Sequence, residues 1–186
     1  PTAEEGRERL DAYRAELAEI AATATESALL VSSEHVSVRQ RDAESIAAID
    51  ALFRESFDAV DYIYYIRNQH DLALSRYSQR VKGGMGVPLD VMLDRSMKSL
   101  DHLPFVETWI DTIGAERFHL RLMDPTALVN GDLCDDFCHV IGVDPAPLAN
   151  SSGIIPATMA AVVIRIGRIL TLAALRIAVE RSTWSC

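Results

Sequence analysis

The fold of this chain is decided by the stretch Tyr64-Tyr65-Ile66-Arg67-Asn68-Gln69-His70-Asp71-Leu72-Ala73-Leu74-Ser75-Arg76-Tyr77, in which a strand-like run passes into a helix-like run. The apolar run begins at Val60 and is rich in Tyr and Ile, as buried β-strands are. A strand followed directly by a helix is the repeating unit of α/β proteins. Arg67 is therefore predicted to lie at the carboxyl edge of a parallel sheet, which is where such proteins bind ligands.

Helix-like and strand-like segments alternate on both sides of this stretch. Apolar residues spaced three and four apart predict helices at Ala3 to Ala24, Arg41 to Phe57, His70 to Val81, Leu89 to Leu100, Phe105 to Ile113, Asp132 to Ile141 and Ile154 to Val179. Short apolar or alternating runs predict strands at Ser27 to Ser33, Val60 to Ile66 and Arg117 to Met123. The pattern predicts one α/β domain over residues 1–186, with helices layered on a parallel sheet. Because three strands are few for such a sheet, we expect further sequence upstream of residue 1.

Composition excludes several classes of function. Hydrophobic residues make up 49% of the 186-residue chain, which predicts a globular core. A formal net charge of −9 disfavours nucleic acid or an anionic membrane as partner, although a local arginine pocket can still bind a small anion. The three cysteines form no evident disulfide framework, so a reducing, cytoplasmic location is expected. No run of roughly 18 uncharged apolar residues predicts a membrane span.

Arg67 and Ser75 are the candidate phosphate ligands. An arginine at a sheet edge can present its planar guanidinium to two phosphate oxygens. The helix that follows adds its positive N-terminal dipole, and Ser75 lies one turn after Asp71, so its hydroxyl can donate to the same anion. Alternatively, Arg67 pairs with Asp71 and holds the loop without a ligand. Spacing alone leaves both interpretations open.

The spacing Arg67-Asn68-x-x-Asp71-x-x-x-Ser75-x-Tyr77 resembles the 3′-phosphate-binding motif of sulfotransferases. The resemblance implies that Arg67 and Ser75 bind the co-substrate 3′-phosphoadenosine 5′-phosphosulfate. It also implies a three-layer, P-loop-like domain with a central parallel sheet flanked by helices. Gln69 departs from the motif, because the family more often has proline there. Less specific similarities to bacterial carbohydrate sulfotransferases extend over roughly residues 28–155.

Glu34 and His35 are the candidate general bases. They follow the predicted strand that ends at Ser33, so they are expected at the same carboxyl edge as Arg67. A carboxylate or an imidazole there can accept a proton from a hydroxyl. In cytosolic sulfotransferases a histidine after the corresponding strand has this role, so the resemblance favours His35, with Glu34 as its rival. Alternatively, both residues cap the next helix or bond each other.

Arg80 and Lys82 are candidate contacts to an anionic substrate. They precede Gly83 and Gly84, a pair that permits close approach of a ligand to the backbone. Spacing alone favours the simpler interpretation, in which the glycines end a helix and the basic side chains are solvated. An Arg-x-Lys-Gly-Gly run is nevertheless also present in bacterial sulfotransferase-like proteins, which implies a substrate contact.

No metal site is predicted. Cys134 and Cys138 share one helix face, and His139 points elsewhere, so the group does not supply a complete set of zinc ligands. Packing against Phe137 and Ile141 is the expected role of the two thiols.

The predicted function is sulfuryl transfer from the nucleotide donor to a hydroxyl of a small molecule or, by resemblance, of a carbohydrate. Such enzymes also need a glycine-rich loop for the 5′-phosphosulfate, and none precedes Leu29, so we expect that loop upstream of Pro1. The alternative is a non-catalytic nucleotide-binding or interaction module on the same fold. A nucleotide kinase-like phosphotransferase would need the same loop and a magnesium-binding carboxylate that the sequence does not single out.

Overall fold

The computed structural model describes residues 2–24, 28–32, 40–84, 86–146, 160–165 and 175–179. In this part of the chain the helices are α1 (Ala3–Thr23), α2 (Ala43–Arg54), α3 (Gln69–Lys82), α4 (Leu89–Leu100), α5 (Leu103–Ile113) and α6 (Leu133–Ile141), with a 3₁₀ turn at Val129–Gly131. The strands are β1 (Ala28–Ser32), β2 (Ala59–Ile66), β3 (Phe118–Leu122), β4 (Ala160–Arg165) and β5 (Leu175–Val179). The α/β class is confirmed, and every predicted element up to Ile141 is present within three residues of its predicted ends.

The strands form one sheet in the order β3-β2-β4-β1-β5. β2 pairs with β3 and β1 pairs with β5 in parallel, whereas β4 lies between β1 and β2 and is antiparallel to both. The prediction of a wholly parallel sheet is therefore wrong at β4. Because β1 and β2 both oppose β4, they run in the same direction, and their carboxyl ends lie at one edge of the sheet.

The predicted helix from Ile154 to Val179 is also wrong, because β4 and β5 lie within it. The segment Ala-Ala-Val-Val-Ile-Arg of β4 is rich in β-branched residues, which favour a strand. Because its apolar run is continuous and does not alternate with polar residues, the sequence pattern alone does not distinguish this strand from a buried helix. Gly167, between the two strands in sequence, further weakens a helix.

Helices cover both faces of the sheet. The side chains of β2 alternate between two cores, with Tyr62 packed against Trp109 of α5 on one face and Ile63 packed with Phe137 of α6 on the other. α1 and α2 add Leu17, Ile46 and Phe53 to the first core. β2 is thus buried on both sides, which fixes the position of the residues that follow it.

Two buried tyrosine–aspartate–arginine networks tie the helices to the sheet. On the α2 face, Tyr62 Oη donates to Asp50 Oδ1 at 3.1 Å, and Arg117 donates to both carboxylate oxygens of Asp50 at 2.7 and 3.0 Å. These contacts join β2, α2 and the residue that precedes β3. The network satisfies a carboxylate that is only 9% exposed.

On the α6 face, Asp136 is fully buried and bonds three groups. Tyr65 Oη donates to its Oδ2 at 2.7 Å, the Val129 backbone N–H donates to its Oδ1 at 3.1 Å, and Arg121 forms a two-point ion pair with both oxygens. Burial alone would raise the pKa of Asp136, but the bonds from Arg121 and Tyr65 outweigh it and hold the pKa below its usual value. The carboxylate therefore stays charged at neutral pH.

Replacing Asp136 by alanine is expected to lower the free energy of unfolding by about 3–5 kcal/mol, because Arg121 and Tyr65 lose a buried partner. Urea denaturation measures the change. Asp111→Ala, at an exposed position of α5, is the control and should change stability by no more than about 0.5 kcal/mol. Equal losses in the two variants would contradict this role for Asp136.

Candidate functional site

Arg67 lies at the predicted edge of the sheet, directly after β2 ends at Ile66. The Met123 backbone N–H donates to the Ile66 carbonyl at 2.8 Å, and Arg67 Nη2 donates to Met123 Sδ at 3.3 Å. The half-buried arginine is therefore held by the residue that follows β3. This contact gives the guanidinium a defined place at the carboxyl edge.

Two side chains fix the start of α3. Asn68 is the N-cap, and its side chain accepts from the His70 backbone N–H at 2.9 Å. Gln69 Nε2 donates to the Leu100 carbonyl at 3.1 Å and ties the first turn of α3 to the end of α4. Asp71 pairs with His70 at 3.4 Å.

Ser75 is half-buried in the middle of α3, about 9 Å along the helix axis from Gln69. Arg80 and Lys82 are exposed in the last turn. Because residues two apart on a helix do not face the same side, Arg80 and Lys82 point in different directions. A phosphate shared by Arg67 and Ser75, and a substrate contact by Arg80 or Lys82, stay predictions.

The candidate bases Glu34 and His35 lie outside the described residues. The strand that precedes them is described: Ser32 and Ile63 both pair with Ala161 of β4. β1 and β2 are thus two strand spacings apart, or about 10 Å. Their carboxyl ends share one edge, as the sequence predicts, but β4 separates them.

Arg41 and Arg76 lie near Tyr64, and Arg80 lies near Arg76. We call Arg41, Arg76 and Arg80 the arginine cluster. Burial lowers the pKa of Arg76, and the charges of Arg41 and Arg80 lower it further, against the opposing effect of Tyr64. Burial raises the pKa of Tyr64, whereas Arg41 and Arg76 lower it. Because neighbouring guanidinium groups repel each other, an anion bound among them is stabilised.

Contacts in the core on the α5 face explain why Arg41 lies near Tyr64. Trp109 Nε1 donates to the carbonyl of Gln40 at 3.2 Å, which holds the chain beside Arg41 against α5. The Trp109 ring lies 6.0 Å from the Phe105 ring, which in turn lies 4.8 Å from the Tyr64 ring. The arginine cluster is thus on the α5 face of the sheet, whereas the guanidinium of Arg67 contacts Met123 on the α6 face.

His102 lies between these two groups. Its ring centroid is 6.4 Å from that of Tyr64, and the imidazole bonds the Arg67 backbone. Its Nε2 is buried and has no hydrogen-bond partner among the described residues, so Nδ1 makes the bond to Arg67. Burial lowers the pKa of His102, and the charge of Arg76 lowers it further, although the bond to Arg67 opposes the shift. His102 is therefore neutral at pH 7.

Sequence reasoning did not predict that Arg41, Arg76 or His102 belongs to this region. The sequence did indicate that Arg76 faces the interior, because it lies on the same helix face as the buried Ala73, three residues earlier. Arg41 and His102 carry no such signal, since tertiary packing alone brings them close to Tyr64.

A pocket of about 260 Å³ lies between α3 and α4, beside the first turns of α3. Gln69 and His70 are its polar residues. The apolar lining comes from Ala73, Leu74, Leu89, Leu93 and Leu100.

Within the described ranges, no group of three or more His, Cys, Asp or Glu side chains is placed to hold a metal ion. Cys134 is exposed and Cys138 is fully buried, so the two thiols have different surroundings although they share α6. Nor does any helix in these ranges have the length and hydropathy needed to cross a membrane.

Comparison of the chain with protein-family models, with curated proteins and with solved structures gives no match.

Stability is expected to fall as the pH drops below about 6.5, because His102 is buried in its neutral form. The unfolded chain binds a proton at the usual histidine pKa of 6.5, whereas the folded chain binds it at a lower pH. Stability therefore rises with pH across that window. Urea denaturation between about pH 5.5 and 7.5 should show a smaller slope for His102→Gln than for the parent. An unchanged slope would contradict this assignment.

Proposed function

We propose that this chain binds 3′-phosphoadenosine 5′-phosphosulfate and transfers its sulfuryl group to a hydroxyl. The observation that carries the proposal is the position of Arg67, directly after β2 and directly before the N-terminus of α3. The backbone N–H groups and the dipole of the α3 N-terminus lie directly beside Arg67, whose guanidinium would turn from Met123 to bind a phosphate there. In this proposal Arg67 and Ser75 bind the 3′-phosphate, and the domain is of the three-layer, P-loop-like kind.

Local charge supports the proposal. The chain has a net charge of −9, yet residues 67–82 contain four arginine or lysine residues and one acidic residue. Arg41 adds to this positive region near Tyr64. A nucleotide with a 3′-phosphate and a 5′-phosphosulfate carries several negative charges, so this positive region would attract it strongly.

The proposed chemistry is an in-line transfer of the sulfuryl group to the acceptor oxygen. Glu34 or His35 takes the proton of the acceptor hydroxyl while its oxygen attacks the sulfur. The bond from sulfur to the 5′-phosphate oxygen breaks, and 3′-phosphoadenosine 5′-phosphate leaves with its charge balanced by the arginines. Positioning and electrostatic stabilisation supply most of the catalysis, as in phosphoryl transfer. Arg80 and Lys82 are proposed to contact the acceptor, and the carbohydrate acceptor and the cytoplasmic location stay predictions.

A nucleotide-binding module without turnover would use the same contacts at Arg67 and Ser75. Product formation distinguishes the two functions. Incubation with the labelled donor and a mixed panel of hydroxyl acceptors gives a sulfated product if the chain is an enzyme. Nucleotide binding without any product would support the module.

Binding of 3′-phosphoadenosine 5′-phosphate to the 186-residue chain is the test of the proposed site, measured by titration calorimetry. Arg67→Ala should weaken binding about 10- to 100-fold, since one charged hydrogen-bonding partner is lost. Ser75→Ala should weaken it less. Adenosine 5′-monophosphate lacks the 3′-phosphate, so its weaker binding should change little in either variant.

Arg7→Ala is the control, because it removes an exposed arginine of α1. It should bind both nucleotides as the parent does. The proposed site is wrong if the parent binds neither nucleotide, or if Arg67→Ala binds the bisphosphate as tightly as the parent.

A further inference from the structure

The pocket between α3 and α4 has the lining of an apolar ligand site. Its volume of about 260 Å³ is just below the roughly 300–1,000 Å³ of typical ligand pockets, so it fits a small molecule of one or two rings. Leu74 is 41% exposed at its rim. A concave group of leucines that opens to solvent is stabilised by an apolar occupant.

The same pocket is poorly suited to a carbohydrate. Gln69 and His70 are the two lining residues with polar side chains, and the amide N–H of Gln69 already donates to Leu100. Each sugar hydroxyl buried against leucine would lose a hydrogen bond to water without replacement. The lining therefore favours an apolar occupant over a polar one.

A positive charge lies on the next turn of α3. Ala73 lines the pocket, and Arg76 follows it by three residues, so the two lie on adjacent turns of one face. Long side chains on a helix point back toward its N-terminus, which directs Arg76 over the turn that carries Ala73. Arg41 and Arg80 add positive charge beside Arg76.

We propose that this pocket binds a small apolar molecule that carries one anionic group, with its rings against the leucines and its anion at Arg76. The binding site itself does not depend on sulfuryl transfer.

The test compares 2-naphthol with 2-naphthyl sulfate, which share one ring system and differ by the anionic group. Binding of each to the full chain is measured by fluorescence without any nucleotide. The parent should bind the sulfate ester about 10-fold or more tightly than the alcohol. Arg76→Gln should remove most of that preference and leave the affinity for 2-naphthol unchanged.

Two substitutions test the apolar part. Leu93→Glu places a charge in the apolar pocket, so it should weaken binding of both compounds by about 10-fold or more. Leu74→Ser tests the same wall at an exposed position, where a substitution is expected to change stability little, and it should weaken binding of both compounds by a smaller factor. Leu10→Glu and Arg7→Gln, both exposed on α1, should have no effect.

Equal affinities for the two compounds in the parent, with no change in Arg76→Gln, would overturn the role of Arg76. Unchanged binding in both Leu93→Glu and Leu74→Ser would overturn the pocket. Neither result depends on the nucleotide, so failure of this site and failure of the proposed donor site are separate outcomes.

Discussion

The buried carboxylate of Asp136 is the interaction on which the ligand edge of the sheet depends. It bonds Tyr65 of β2 and Arg121 of β3, and these residues lie two positions before Arg67 and Met123. Side chains two apart on a strand share a face, so the Asp136 network forms the layer directly beneath the contact between Arg67 and Met123. The contact between Arg67 and Met123 thus lies next to an ion pair whose carboxylate is fully buried.

Charge is distributed unevenly in this acidic chain. Arg67 lies on the α6 face of β2, and the arginine cluster lies on the α5 face, with His102 bonded to the Arg67 backbone between them. Repulsion among neighbouring guanidinium groups costs stability. The two proposed ligands would each place an anionic group beside one of these sets of arginines.

The sequence predicted most helices and strands correctly, but it did not predict the contacts that depend on tertiary packing. The apolar run before Arg67 and the periodicity after it predicted β2 and α3 correctly, because both patterns are local. β4 was predicted as helix, because its apolar run is continuous and shows no alternation. The arginine cluster was missed because Arg41 approaches Tyr64 only through the packing of Trp109 against Gln40. Arg67 and Ser75 were proposed from a spacing within one strand–helix unit, and their binding of a phosphate stays a prediction.

A crystal structure of the chain grown with 3′-phosphoadenosine 5′-phosphate tests the central claim most directly. The account predicts that the 3′-phosphate lies at the N-terminus of α3, with oxygens about 2.7–3.2 Å from the guanidinium of Arg67 and the hydroxyl of Ser75. Arg67 would then turn from Met123 toward the phosphate. A nucleotide bound elsewhere, or a 3′-phosphate that contacts neither residue, would contradict the account.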